Sequence, residues 1–510
     1  MRIAALDLGS NSFHLIVVEA HADGSFATLL REKEVLRLAD AVTTVRRIPE
    51  DRAAAAVDAV QRMRSHGDAL GVDEWVVYAT SALREADNGA EVAEQIERET
   101  GIEIKVITGY DEARLIFTAV RASVLIDKPP AVCIDQGAGS LEVSVGDASG
   151  MLWATSLKLG AARLTVECIK SDPPQPVELE AIRQRARALL EPVAASTRRY
   201  RPGMLVATSG TLTTLAALAA PKLVNSTPNA MHQLTVSAAE LAPVYQQVQT
   251  LPFEKRRAID GLESRRAEII VAGSVVLEVA MELFGFDEVT VSEWSMREGM
   301  VLDAIGHHDA IDWVDPRSMR RESVRALFGR YGGNVQHAHQ VARLAAAIFD
   351  DTVSLHGLSP LDRDLLEHAA WLHDIGEHIA VDNHDRHTAY LIEHGRLRGF
   401  SPEEVIMLAS IGRFHRRNTP KPSSYEPMRQ LDDEQRDRVT RLTAILRIAD
   451  ALDRSHSDSV DDVTANVAED HVELQLSGSR DTDLERWGVR RKRALFEKIF
   501  GLPVTLHDAG

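Results

Sequence analysis

From residue 1 to about 305 the chain alternates short apolar runs with stretches of helical period, and beyond about 325 the helical period takes over. Ile3, Ala4, Ala5 and Leu6, then a polar turn from Asp7 to Ser12, then Leu15 to Val18 predict strand, turn and strand. Apolar positions Ala53, Ala56, Val57, Val60 and Met63 predict a helix over 51–70. Strands follow at Glu74–Thr80 and 102–107, and Thr108-Gly109-Tyr110-Asp111 caps a helix over Glu112–Val120. Pro173, Pro174 and Pro176 mark a loop, and 177–200 resumes as helix. Ala267–Leu283 reads as a helix, Glu288–Ser292 as a strand, and Arg297-Glu298-Gly299 as a polar turn. The alternation to about 305 indicates α/β domains. A polar linker is expected over about 306–325, then helices over 335–349, 361–373 and 439–452, and a hairpin over 463–476.

One pattern recurs. Residues 131–148 repeat the opening design at an offset of about 128 positions, with Asp135 answering Asp7, Gly137 answering Gly9 and Ser140 answering Ser12. An internal repeat of this kind predicts two related lobes, each presenting its loop to a shared cleft. A third strand-to-helix loop, Ser209-Gly210-Thr211, places helix N–H groups at an anion. The expected divisions are therefore 1–127, 128–305, a helical domain over 306–430, and 431–510, which closes the helical domain and adds a small α+β domain.

Composition narrows the function. The 510 residues exceed what one core accommodates, and 45% hydrophobic with 26% charged residues is ordinary for a soluble protein. Lys+Arg 58 against Asp+Glu 76 gives a net charge of −18, which argues against nucleic-acid or membrane-surface binding. A polyanionic substrate would need a local basic channel. Arg486, Arg490, Arg491, Lys492, Arg493 and Lys498, with Arg413, Arg416, Arg417 and Lys421, are candidates for it, or else line a solvated helix face. Two cysteines, Cys133 and Cys168, imply no disulfide framework. Asp7 interrupts the first apolar run, and no segment reaches the ~18 apolar residues of a membrane span. The expected location is the cytoplasm.

The loops carry candidate chemistry. A turn with a carboxylate, a glycine and hydroxyls can hold a phosphate and a hydrated cation together, and is equally found in plain hairpins. Arg84, just past a strand end, is placed to fork onto a phosphate or to lie solvated. Glu112 falls in the first turn of its helix, where a carboxylate also suits the dipole. Glu142 lies seven residues past Asp135, close enough to share its site. In the helical half, His337, the pair His373-Asp374 and the distant Asp450 make a nitrogen/oxygen set for a divalent metal, with His384, His387, His394 and His415 nearby in sequence.

Taken together, these stretches resemble the Ppx/GppA family of exopolyphosphatases and guanosine pentaphosphate phosphohydrolases, within the wider actin and sugar-kinase group. The matching pieces are DLGSNSFHLIV at Asp7–Val17, TSALREA at Thr80–Ala86, GYDEARLIF at Gly109–Phe117 and DQGAGSLEV at Asp135–Val143. LGAARLT at Leu159–Thr165, SGT at Ser209–Thr211, GLESRRAEIIVAG at Gly261–Gly273 and REG at Arg297–Gly299 complete the set. The resemblance implies two actin/sugar-kinase-like (ribonuclease H-like) lobes with a central cleft, then an all-α HD-like domain and the small α+β domain. It also implies a homodimer. Carried over by position, Glu112 would be the general base for the attacking water, while Asp135 and Glu142, with Asp7, would hold Mg²⁺. Ser10, Asn11, Ser12, Gly137, Gly139, Ser140, Ser209, Gly210 and Thr211 would line the phosphate cradle, and Arg84 and Arg266 would neutralise charge. The HD-like set His337, His373, Asp374 and Asp450 would hold a second divalent metal such as Mn²⁺.

Two positions depart from the family pattern. Gln136 stands where an aliphatic is usual, and Ala138 adds a methyl where the backbone is expected to need a positive φ or close approach to phosphate. The expected activity is Mg²⁺-dependent release of the terminal phosphate of inorganic polyphosphate. Its rivals are hydrolysis of guanosine pentaphosphate (pppGpp), a non-catalytic sensor of either ligand, and nucleotide hydrolysis at the HD-like centre.

Overall fold

The structure is a computed structural model, and it describes residues 1–21, 26–126, 129–220, 232–309, 316–478 and 482–508. These fall into two compact units, one formed by Met1–Pro221 and Met231–Met319, the other by Arg320–Gly510.

In the first unit the opening repeat builds β1 (Arg2–Leu8), β2 (Ser12–Ala20) and β3 (Phe26–Val35) as an antiparallel meander, extended by parallel β4 (Glu74–Ala79) and β5 (Lys105–Val106). The order in this sheet is β3-β2-β1-β4-β5. The second copy builds β6 (Ala131–Gln136), β7 (Leu141–Asp147) and β8 (Gly150–Leu157) the same way. It is extended by parallel β9 (Met204–Thr208) and β11 (Glu288–Val291), with β10 (Thr235–Ser237) antiparallel at the edge. The order β10-β11-β9-β6-β7-β8 therefore repeats the first sheet and adds one strand.

Both faces of β1 and β2 are largely buried, which is why these strands read as continuous apolar runs. Ile3 and Ala5 of β1 join a core with helix Gly109–Ser123 and helix Met296–Asp309, a core that also takes Ala131, Cys133 and Val206 of the second sheet. Those two helices are thus packed between the sheets. Ala4, Leu6 and Leu8 face the opposite layer, against helix Glu50–Ala69.

Among the described residues the second unit is held by a common core. Helices Val335–Asp351, Pro360–Leu372, Pro402–Phe414 and Asp433–Ala451 bury Val341, Leu344, Leu366, Ile406 and Ile445 together. The expected hairpin is present as β12 (Asp462–Val467) and β13 (Val472–Ser477), joined by an unforeseen parallel strand β14 (Val504–Asp508). Val463, Leu474 and Val504 of this sheet enter the same core, so no separate core begins after 430.

Three local expectations change. The supposed linker is largely helix, since Met296–Asp309 runs past 305 and Pro316–Tyr331 follows, with 310–315 outside the described residues. Pro316 suits the first turn of a helix, where its missing N–H costs nothing. Arg297-Glu298-Gly299 is the first turn of a helix rather than a loop. The strand expected over 102–107 shrinks to Lys105–Val106.

Candidate active site

The cross-strand register places the carboxylates. In the first hairpin Asp7 lies opposite His14, and in the second Asp135 lies opposite Glu142. Helix Gly109–Ser123 is started by a reciprocal cap, in which Asp111 N donates to Thr108 Oγ1 at 3.1 Å and Thr108 Oγ1 donates to Asp111 Oδ2 at 2.6 Å. That cap fixes the first turn and carries Glu112 into the cleft, where it is buried.

Four carboxylates thus lie close together, with Asp7, Glu112 and Asp135 lining the cleft and Glu142 buried opposite Asp135. Ser295 Oγ donates to Asp135 Oδ2 at 2.6 Å, and Ser156 Oγ donates to Glu142 Oε1 at 2.7 Å. Asp7 Oδ1 is buried with no hydrogen-bond partner. Burial pushes Asp7 up to about 7 and Asp135 up to about 6, and in both Arg297 pulls the other way. Burial, then the charge of Asp135, raises Glu142 to about 7. Glu112 is held well above the usual carboxylate range by burial and by Glu142, against the pull of Arg84, whose two terminal nitrogens lie 3.4 Å from Glu112 Oε2. Close-set buried carboxylates with an unsatisfied oxygen fit a hard divalent cation, whose charge offsets the crowding.

The loops line the same cleft. Ser10, Asn11, Ser12, Gly137, Gly139, Ser140, Ser209, Gly210, Thr211 and Arg266 all line it. Ser10 Oγ accepts the Ala82 amide at 2.9 Å, which ties the first loop to the short helix Ser81–Glu85 that bears Arg84. A Cβ at Gly139 would stand 2.5 Å from Ser81 Oγ and 3.0 Å from Ser10 Oγ, so only glycine lets these loops meet. Ser209 caps helix Gly210–Ala219 at φ 91°, a strained conformation for serine of the kind found at ligand clamps. Arg266 is held over Gly210 by a 2.7 Å bond from its Nη1 to Thr214 Oγ1.

Neither departure takes a positive φ, but Gln136 leaves its side-chain Oε1 buried without a hydrogen-bond partner. Ala138 does not have a positive φ, so its methyl meets no backbone strain. Ala138→Gly is expected to leave kcat within about twofold and to cost about 0.5–1 kcal/mol of stability, through a freer unfolded chain; steady-state rates and urea melts test this. Gln136 is buried beneath the loop, where its Nε2 donates to Leu159 O at 2.9 Å.

Some cleft residues escaped the sequence reading. His14, Lys33, Arg265 and Arg297 line the cleft, with Arg297 Nη1 3.3 Å from His14 Nδ1. Burial and the neighbouring Arg297 keep the His14 imidazole far below its usual range, hence neutral, and burial with Arg265 and Arg266 lowers Lys33 to about 8. His14 was findable, since the offset that pairs Asp7 with Asp135 also pairs His14 with Glu142. Arg163 was missed too. Its Nε donates to Gly139 O at 2.8 Å and its Nη2 reaches both oxygens of Glu85 at 3.0 and 2.9 Å.

In the helical unit, His337, His373 and Asp450 offer ligand atoms within 4.8 Å of one another, and Asp374, His384 and His415 form a second such group. His394 lies elsewhere, exposed and stacked on Tyr390. The basic residues expected to make a channel are partly neutralised, with Arg413 on Asp385, Lys492 on Asp450, and Arg493 on Glu497.

Buried carboxylates walled by serine- and glycine-rich loops and flanked by arginines make a centre for phosphoryl chemistry. The sequence pattern of the Ppx/GppA phosphatase family matches residues 17–308, and that of domain III of Ppx/GppA phosphatases matches 319–489. The chain belongs to the Ppx/GppA phosphatase family. It is 34% identical to Exopolyphosphatase 1 of Mycobacterium tuberculosis over 334 residues, 65% of this chain and 96% of that protein. It is 33% identical to Exopolyphosphatase 1 of Mycobacterium leprae over 303 residues, 59% of this chain and 89% of that one. The crystal structure of an exopolyphosphatase from Cytophaga hutchinsonii is similar with TM-score 0.56 and 27% identity, covering 60% of this chain and 98% of that one. A family member from Aquifex aeolicus gives TM-score 0.53 and 28% identity, over 61% of this chain and 99% of that one.

Proposed function

We propose that the protein is an exopolyphosphatase that hydrolyses the terminal phosphoanhydride of inorganic polyphosphate in the cleft of its first unit. The observation that carries this is a cluster of four carboxylates, three of them buried and the fourth, Asp7, with a buried unpartnered oxygen, beside a cleft lined by serine- and glycine-rich loops. Asp7, Asp135 and Glu142 are the residues that would hold Mg²⁺, which when bound neutralises charge on the substrate's oxygens. The N–H groups and hydroxyls of the three loops receive the non-bridging oxygens, and the positive end of helix Gly210–Ala219 adds to them. Arg84 and Arg266 offset the remaining charge. Glu112 takes a proton from the attacking water as the new oxygen–phosphorus bond forms and the anhydride bond breaks. Orthophosphate leaves, and the chain is one unit shorter. The raised proton affinity of Glu112 suits a base. The helical unit we read as an HD-type domain, from His337, His373, Asp374 and Asp450.

Phosphate release with Mg²⁺, from long-chain polyphosphate and from pppGpp in parallel, tests the substrate. Higher kcat/KM on polyphosphate supports the proposal; preference for pppGpp, which offers the same terminal linkage, overturns it.

The carboxylates also predict a pH effect. A carboxyl whose folded pKa stands above its unfolded value contributes stability below the unfolded value and loses it as pH rises through the folded one. Asp135 and Glu142 have ordinary values of 3.8 and 4.5 and folded values of about 6 and about 7. The Tm of EDTA-stripped protein is therefore expected to fall across that window, and the gain in Tm on adding Mg²⁺ to grow over it. A Mg²⁺ effect independent of pH would remove these residues from the metal site.

A further inference from the structure

The cleft of the first unit has a branch. A cavity of about 290 Å³ meets it, and Asp7, His14, Ser209, Arg266 and Arg297 line both. Glu112, Asp135 and the loops over 9–12 and 136–140 line the main cleft alone. Thr208, Thr213, Ser292 and Glu293 line the branch alone.

The two arms differ in what they offer an anion. Lys33, Arg37 and Arg265 line the main cleft only, so with Arg266 and Arg297 it presents five cationic side chains to a polymer. The branch has only the two shared arginines, and it adds an acid, the exposed Glu293. Its hydroxyl protons are already engaged. Thr208 Oγ1 and Ser292 Oγ each donate to Trp294 O at 2.9 Å, and Thr213 Oγ1 donates to Ser209 O at 2.8 Å. These three groups keep only lone pairs, whereas an oxyanion needs donors. A phosphate therefore finds donors at the shared arginines and few beyond them. The branch has room for one such ion and several waters at roughly 30 Å³ each. It suits the passage of a small hydrated anion and disfavours a long polyanion. While a polymer fills the main cleft, an ion freed at its inner end has this second route.

We propose that the branch is the exit for orthophosphate. The freed ion passes Arg266 and Arg297 and leaves by Glu293, and the shortened polymer keeps its place on the cations of the main cleft. Repeated cleavage then needs no dissociation of the chain. This inference rests on the exopolyphosphatase reading and adds to it a path for the product.

A removable plug tests the exit. Glu293→Cys is made in a Cys168→Ser background, because Cys133 is buried and Cys168 is partly exposed. The new thiol is capped by disulfide exchange with a bulky aromatic disulfide, and dithiothreitol later removes the cap. With Mg²⁺ and long-chain polyphosphate, total phosphate is measured after acid quench and free phosphate by a fluorescent phosphate sensor. The uncapped variant is expected to match the wild type. In the capped enzyme first-turnover cleavage should be unchanged, free phosphate should lag behind it, and steady-state release should fall at least about fivefold. Chains of intermediate length should accumulate on a gel, since product then leaves only when the polymer does. Dithiothreitol should restore the uncapped rate. Free phosphate that keeps pace with cleavage in the capped enzyme would overturn the exit. A cap that slows first-turnover cleavage as much as release would overturn it too, by placing Glu293 beside the reaction. Absence of acid-quenched phosphate from the wild type would refute the exopolyphosphatase reading itself, and the exit with it.

Discussion

Glu112→Gln is expected to lower kcat for polyphosphate hydrolysis about 10²–10⁴-fold while moving KM by less than about threefold. Glutamine keeps the size and the contact with Arg84 and cannot take the proton. The split between kcat and KM is the informative part, because phosphate is held by the loops and arginines rather than by Glu112. Stability should move the other way. Burial and Glu142 make the charged form of Glu112 costly, so a neutral amide there should leave Tm at or above the wild-type value. Steady-state kinetics and a thermal melt on one preparation read both. Undiminished kcat would place the base elsewhere, and a KM raised in proportion would make Glu112 a binding residue.

Arg163→Ala is expected to cost about 2–4 kcal/mol of stability and to lower kcat at least about tenfold. The side chain is almost wholly buried and joins the second phosphate loop, through Gly139 O, to Glu85 of the first sheet's lobe. Glu85 also accepts from Ser81 Oγ at 2.8 Å and pairs with Lys158 at 3.2 Å, so its loss of Arg163 disturbs the wall behind Arg84 as well. Gly160 makes the joint tight, since a Cβ there would overlap the Ala138 carbonyl although its own φ of −62° suits any residue. Arg163→Lys restores charge without the planar fork and should recover only part of the loss. Urea denaturation of Arg163→Ala, Glu85→Ala and the double variant should be less than additive. Additive losses would mean that the pair does not act as one strap.

The carboxylates of the cleft were legible because a repeat and a fixed spacing encode them: Asp7, Asp135 and Glu142 follow from two copies of one hairpin. The place of Glu112 in the first helical turn was legible through its capping residues, and its role as base only through the family resemblance. Arg163 was not, because Glu85 lies 78 positions away and nothing local marks the pairing. Ala138 does not take the positive φ that was one of the two reasons for singling it out. Among the extra histidines, His384 and His415 join Asp374 because a carbonyl behind each ring aims it inward, a backbone detail no residue pattern records. The strand β14 pairs with β13 through tertiary packing, and its sequence alone reads only as a tail.

The paired hairpins bear on how a polymer lies in the cleft. Inorganic polyphosphate has two identical ends, so the molecule itself carries no direction. A cleft made from two like halves would accept it either way round. Opposite Asp135 stands an acid, Glu142, while the equivalent place opposite Asp7 holds neutral His14, with Arg297 against it and Lys33 close by. Divergence between the two copies at that one position makes the two halves of the cleft unlike, an asymmetry its substrate lacks. Which way the polymer runs across the two lobes would then be written in the enzyme alone.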